Sequence, residues 1–292
     1  MHQTMLVVAR ALTLSGCLVA ASVALAAPQE SATPTAAPAT TATLPSIDEL
    51  LARHTAAMGG KAAIDGILSM RSKGTLDSGL GVLEIDVATM APDRSRISYA
   101  TQGRRWETAC DGTIAWATDP ATGQPNLLSE EVRAGLSRGM DFQGLFRSPT
   151  SLFELKSVDG SETIGGVECW TVSMRSKAGE PVTGFFAKSN GLFTALKQTQ
   201  KTVRGEVTMS MQVTEWQEVP FTTAAGSKET LRVAKAIETI ESGRRAVGTF
   251  ANFEINTLDA AHFAPPPAVQ KLAEDAALRA KQTGTPGAGA NR

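Results

Sequence analysis

Val207-Thr208-Met209-Ser210-Met211-Gln212-Val213-Thr214 alternates apolar and polar side chains without a break. Successive side chains of a strand point to opposite faces, so Val207, Met209, Met211 and Val213 share one face and the polar residues share the other. Such a strand belongs in an antiparallel sheet packed on one side only. The same period recurs on either side of it. Leu83, Ile85, Val87 and Thr89 alternate with Glu84, Asp86 and Ala88. Glu168, Trp170, Val172 and Met174 alternate with Cys169, Thr171 and Ser173, and Val247, Thr249, Ala251, Phe253 and Ile255 with Gly248, Asn252 and Glu254. Turn signals lie between such segments: Asp77-Ser78-Gly79, Ala91-Pro92-Asp93, Lys177-Ala178-Gly179-Glu180 and Ser189-Asn190-Gly191.

Helical periodicity is confined to short stretches. Ser46 with Glu49 three residues on forms a capping box ahead of a helix, with Ile47, Leu50, Leu51, His54 and Met58 on one face and Gly59-Gly60 as its stop. A second helix is predicted over Lys61 to Ile67, a third from Ser129 to about Arg138, and a last one over about Ala268 to Lys281 with Leu272, Ala276 and Arg279 on one stripe. Strands do not alternate with helices, so the pattern predicts a mainly β protein with one long antiparallel sheet, and disfavours a doubly wound parallel one.

The ends read differently. Residues 1–26 carry one positive charge at Arg10, an apolar run from Ala11 to Val23 and the small-x-small sequence Ala24-Leu25-Ala26. That is the three-part pattern of a cleaved secretory signal, with too short an apolar run for a membrane-spanning helix. Leu14-Ser15-Gly16-Cys17 also matches a lipobox, so the alternative to a diffusing periplasmic product is one lipid-anchored through Cys17. Residues 27–45 are rich in Pro, Ala and Thr and read as a flexible linker. Residues 46–269 form the core domain, and residues 270–292 a C-terminal helix and Gly/Ala-rich tail.

Composition excludes several function classes. A net charge of −1 gives no footprint for nucleic acid and no polybasic patch for anionic lipid. Past the signal only His54 and His262 remain, with no Cys or His at metal-ligand spacing, so no metal site and no cofactor are expected. Cys110 and Cys169 either form a disulfide, which export permits, or serve as two small buried residues. Gly135-Leu136-Ser137-Arg138-Gly139 matches a nucleophile elbow, but helical, charged residues precede it where that motif needs a buried strand. A helix end with Gly139 as cap explains it better, and no catalytic residue is assigned. The basic pairs Arg104-Arg105 and Arg244-Arg245 read as charges guarding strand edges.

What remains is the apolar face of the sheet, which few helices are available to cover. The uncovered part would be a cleft for an apolar ligand. Its lining candidates are Ile85, Val87, Trp170, Val172, Phe185, Met209, Met211 and Val213, and Met90, Met174, Met209 and Met211 add the flexible thioethers that suit such ligands. Which face of each strand points inward is left open by the alternation.

Three stretches then resemble one family. Asp111-Gly112-Thr113-Ile114-Ala115-Trp116 with Asp119-Pro120 resembles a strand-turn-strand segment of periplasmic lipoprotein carriers of the LolA type. Asp259-Ala260-Ala261-His262-Phe263 with Pro265-Pro266 resembles their closing segment. His54 to Gly60, continuing through Ala62-Ala63-Ile64 to Gly74-Thr75, resembles related outer-membrane lipoprotein-sorting proteins, the LolB-like group among them. The resemblance implies a single unclosed β-barrel of about eleven antiparallel strands, helices over its concave face, and a monomeric, non-catalytic carrier or sensor of lipid or lipoprotein acyl chains. It also implies inner- or outer-membrane proteins as partners; a regulatory role through a partner protein is the alternative. One position departs from the pattern: the arginine that precedes the early-turn proline in the carrier is Ala91 here, with Arg94 and Arg96 downstream.

Overall fold

The structure, a computed structural model, describes residues 43–130, 132–133, 136, 142–177, 179–202 and 205–283. The signal, Cys17, most of the linker and the Ser137 motif lie outside them. The chain enters through α1 (Ile47–Ala57) and α2 (Lys61–Asp65). The capping box at the start of α1 is formed: the Ser46 side chain accepts from the Glu49 amide, and Glu49 accepts from the Ser46 amide. Six strands follow: β1 (Ser69–Asp77), β2 (Val82–Met90), β3 (Arg94–Thr101), β4 (Arg104–Cys110), β5 (Ala115–Thr118) and β6 (Pro125–Leu127). After α3 (Phe142–Arg147) and a 3₁₀ turn at Pro149–Ser151 come β7 (Phe153–Ile164), β8 (Val167–Ser176), β9 (Pro181–Ala187), β10 (Phe193–Thr202), β11 (Gly205–Thr222), β12 (Lys228–Glu241) and β13 (Arg244–Ile255). A 3₁₀ turn at Ala260–Phe263 leads into α4 (Pro267–Thr283).

All thirteen strands form one antiparallel sheet in the order β6-β5-β4-β3-β2-β1-β13-β12-β11-β10-β9-β8-β7. Thirteen, rather than about eleven, is the count. The barrel is not closed: β6 and β7 are its two free edges. They are also consecutive in the chain, so residues 128–152, with α3 among them, carry the chain from one edge to the other. Among the described residues of that connection, Leu136, Leu145 and Phe146 pack into the sheet's largest apolar cluster.

Two departures from regular pairing shape the sheet. A bulge between Lys73 and Gly74 leaves Ala251 without a partner in β13. Before it, Gly248 and Phe250 face the core; beyond it, Phe253 and Ile255 do, while Thr249 and Ala251 are exposed. The uninterrupted alternation predicted for this strand is thus corrected, because an extra residue inverts the phase of every side chain past it. Second, β12 pairs with β13 only from Ala236 to Glu241, while β13 continues along β1. The rest of β12 is satisfied otherwise. The Arg232 amide donates to the Met58 carbonyl at 3.0 Å. The side-chain amide of Gln143 in α3 donates to the Ala234 carbonyl at 2.8 Å and accepts from its amide at 2.9 Å. One glutamine thus stands in for a residue of the missing strand.

The basic pairs are not at sheet edges. Arg104-Arg105 opens β4 after the β3–β4 turn and Arg244-Arg245 opens β13 after the β12–β13 turn, both in interior strands. The predicted stripe on α4 is also corrected. Val269 is its buried anchor, against Trp116 and Ala109, while Ala276 and Arg279 are exposed.

Candidate apolar-ligand site

The concave face carries the largest cluster of buried side chains. Ile85, Val87, Val172, Met211 and Val213 are buried in it, and Trp170 and Met209 pack against it half-buried. Seven of the eight predicted lining residues therefore share one surface. The eighth, Phe185, does not. It is paired with Thr171 and Ala195 on the opposite side of the sheet and clusters with Cys169, Ala187 and Ala195. Its neighbour Phe186 takes the inward place. A run of two phenylalanines always sends one to each face, and only the pairing decides which. Met90 likewise lies on the other face from Val87, and its sulfur faces the Arg94 guanidinium at 3.9 Å.

The segment joining the two edges supplies the cover. Leu136, Leu145 and Phe146 belong to the same concave cluster, as does Leu50 of α1. Phe146 is fully buried, tilted against Phe193 at 5.8 Å and edge-on to Trp216 at 6.2 Å. Besides Gln143, a second polar tie holds α3 in place. His54, buried in α1, accepts the Phe193 amide at Nδ1 (3.1 Å), which leaves the proton on Nε2 to donate to the Arg147 carbonyl (3.2 Å). Burial lowers its pKa from 6.5 to about 4, outweighing the carbonyls of Arg147 and Phe146. The imidazole is therefore neutral and joins α1, α3 and β10. Sequence reasoning placed His54 on a helix face, but its distant partners left no local signal.

Polar groups on the concave side are few. Tyr99 is buried, and loss of hydration keeps its phenol neutral; its ring stacks on Trp106 at 5.6 Å. Gln198 is buried and donates to Glu180 at 2.7 Å. Among the described residues no group of three or more His, Cys, Asp or Glu could hold a metal ion. The disulfide alternative is overturned. Both cysteines are free and buried, Cys110 in the concave cluster and Cys169 in the cluster on the other face, so the sheet stands between them. Burial pushes the Cys169 thiol up to about 11.

Two other hollows fit an apolar ligand poorly. One of about 70 Å³ lies near Phe185, Ala195 and Gln212, small beside usual ligand pockets. Another of about 400 Å³, where β11 and β13 diverge, is lined by Gln217, Glu218, Asn252 and Glu254 among others. An acyl chain gains little against such side chains.

Two of the stretches that carried the resemblance meet on the outer face. The Trp116 indole donates to Glu107 at 2.9 Å; Glu107 pairs with Arg96 at 2.7 Å; and Arg96 donates to the His262 carbonyl at 2.9 Å. Asp111 caps its own turn by accepting the amides of Thr113 and Ile114. These residues lock the closing segment onto β3 to β5 and stay away from the concave face. Arg96 is committed to that lock.

The molecule is thus an unclosed antiparallel barrel with an apolar concave face, crossed by a segment of its own chain. Its fold is that of a solved DUF1329 family protein from Desulfovibrio piger, at a TM-score of 0.50 and 11% identity over 75% of this chain and 97% of that one. Also matched are a LolA superfamily protein from Nitrosomonas europaea (TM-score 0.48, 11% identity, 76% and 99% covered) and an outer membrane lipoprotein-sorting protein domain from Vibrio parahaemolyticus (0.44, 10%, 74% and 94%). No family model and no curated protein sequence matches the chain.

Proposed function

We propose that this chain is a non-catalytic periplasmic binding protein that holds lipid or lipoprotein acyl chains on its concave face, for transport or sorting toward the outer membrane. One observation carries the reading. Leu145 and Phe146 of α3 occupy the concave apolar cluster, and the polar contacts that tie α3 down include Gln143 to Ala234 and Arg147 to His54. Lifting that segment would free an apolar surface of the kind an acyl chain fills, at a cost the incoming chain can offset by burying its methylenes. The signal-like start supports export, with lipid anchoring through Cys17 as the alternative address. The test is native mass spectrometry of protein purified from its own periplasm, then of apo protein mixed with lipids. Bound lipid or acylated peptide is expected; apo protein that takes up nothing would sink the proposal.

A second reading has an observation of its own. The same Leu145 and Phe146 side chains complete the core, so the segment could be permanent and the protein a regulatory module that binds a partner protein. Crosslinking in cells that yields a stoichiometric protein partner, together with no lipid uptake, would favour it.

A further inference from the structure

Among the described residues, three side chains on the concave face, Ser95, Trp170 and Gln198, have a buried polar atom without a partner, and Gln198 is the one whose free atom is a carbonyl. Gln198 is 1% exposed, yet only half of its amide is used. Nε2 donates to Glu180, and Oε1 is buried with no hydrogen-bond partner. Buried carbonyls are rarely left this way, so each one calls for an explanation. The surroundings indicate what would suit this one. Across the strands Gln198 sits between Val182 and Met209, and the next residue on its own face of β10 is the buried Leu196. The carbonyl therefore stands at the border between the apolar surface and the half-buried residues Met209 and Glu180. Glu241 pairs with Met209 on β12, one strand farther out. The site thus presents a neutral acceptor beside the Glu180 carboxylate.

We infer that Gln198 and Glu180 form a headgroup subsite that accepts hydrogen bonds from an amphiphile's polar end, a hydroxyl or amide donor in preference to an anionic carboxylate. This rests on the acyl-chain reading above and adds the ligand's head chemistry to it. The tail lies along Leu196 and Met211, and the head donates to the unpaired Oε1. An anionic head would bring no donor and would meet Glu180 with like charge.

Equilibrium dialysis of the purified protein against monolauroylglycerol and laurate, each below its micellar concentration, tests the assignment. Monolauroylglycerol is expected to bind about tenfold tighter, the worth of one satisfied buried hydrogen bond. In Gln198→Leu the ratio falls because monolauroylglycerol binding weakens. In Glu180→Gln, at a half-buried position, the ratio falls because laurate binding improves. Equal affinities in the unaltered protein, or a ratio unmoved by both substitutions, overturn the subsite and leave acyl-chain binding standing. Uptake of neither ligand overturns the acyl-chain reading and the subsite together.

Discussion

Replacing His54 by glutamine should flatten the acid dependence of stability by an amount the structure sets. The imidazole is 2% exposed, so its burial is not relieved by solvent. It is lowered from 6.5 to about 4, and loss of hydration is the main cause. Above pH 6.5 the ring is neutral in both folded and unfolded chains, and its two hydrogen bonds contribute in full. Between pH 6.5 and about 4 the unfolded chain takes up a proton that the folded one refuses, so stability falls as pH falls. The gap, at about 1.4 kcal/mol per pH unit, amounts to about 3 kcal/mol over that window, of which about 2 kcal/mol is lost by pH 5. Urea unfolding followed by tryptophan fluorescence, from near pH 7.5 down to near pH 4.5, measures it. His54→Gln starts less stable by about 1–3 kcal/mol, because a single side-chain amide cannot reproduce both ring contacts. Its deficit should shrink on acidification, since the carboxylates titrate alike in both proteins and only the wild type loses the histidine contribution. A deficit constant with pH would refute the reasoning and mean that His54 is solvated or already charged.

Phe146→Ala should cost about 3–5 kcal/mol, as removing a fully buried phenylalanine does; if its ring stands where an acyl chain goes, laurate should raise the melting temperature of this variant more than that of the wild type, which a thermal-shift titration reads. A β-carbon at Gly59, where φ is +113°, would lie 2.0 Å from the Thr230 carbonyl oxygen. Gly59→Ala should therefore abolish soluble expression, whereas Gly60→Ala, at φ +89° and ψ 170° with open space around it, should cost about 1–3 kcal/mol of backbone strain in a urea titration. Cys110 and Cys169 should resist a thiol reagent until the protein is unfolded, and a reducing agent should leave the melting temperature unchanged; a shift would point to a disulfide that the opposite-face placement rules out.

Much of the architecture was legible along the chain. Alternation at Val207–Val213 and Leu83–Thr89 is local, because a strand's period of two comes from the backbone itself. The Ser46–Glu49 capping box needs only residues three apart, and it is formed as read. The absence of interleaved helices disfavoured a doubly wound parallel sheet, and three short motifs pointed to an unclosed barrel. The site was legible in part: the apolar faces of β2, β8 and β11 were recognisable as faces, and the seven candidates they supplied do converge, while Phe185 of β9 does not.

Period alone could not say which face looks inward. Phe185 and Phe186 have equal claims until β9 is paired with β8 and β10, and the phase of β13 is lost at the Ala251 bulge, which only the match to β1 reveals. Gln143, His54 and Gln198 gave no signal, because their partners lie 91, 139 and 18 residues away and meet them only once the sheet has curled. The sequence by itself therefore determined an antiparallel sheet with an exported look and an apolar face to cover, since those properties follow from nearest neighbours along the chain. The tertiary structure decided what covers that face, how the cover is fastened, and where the Gln198 carbonyl is buried, since those follow from contacts between residues that the chain keeps far apart.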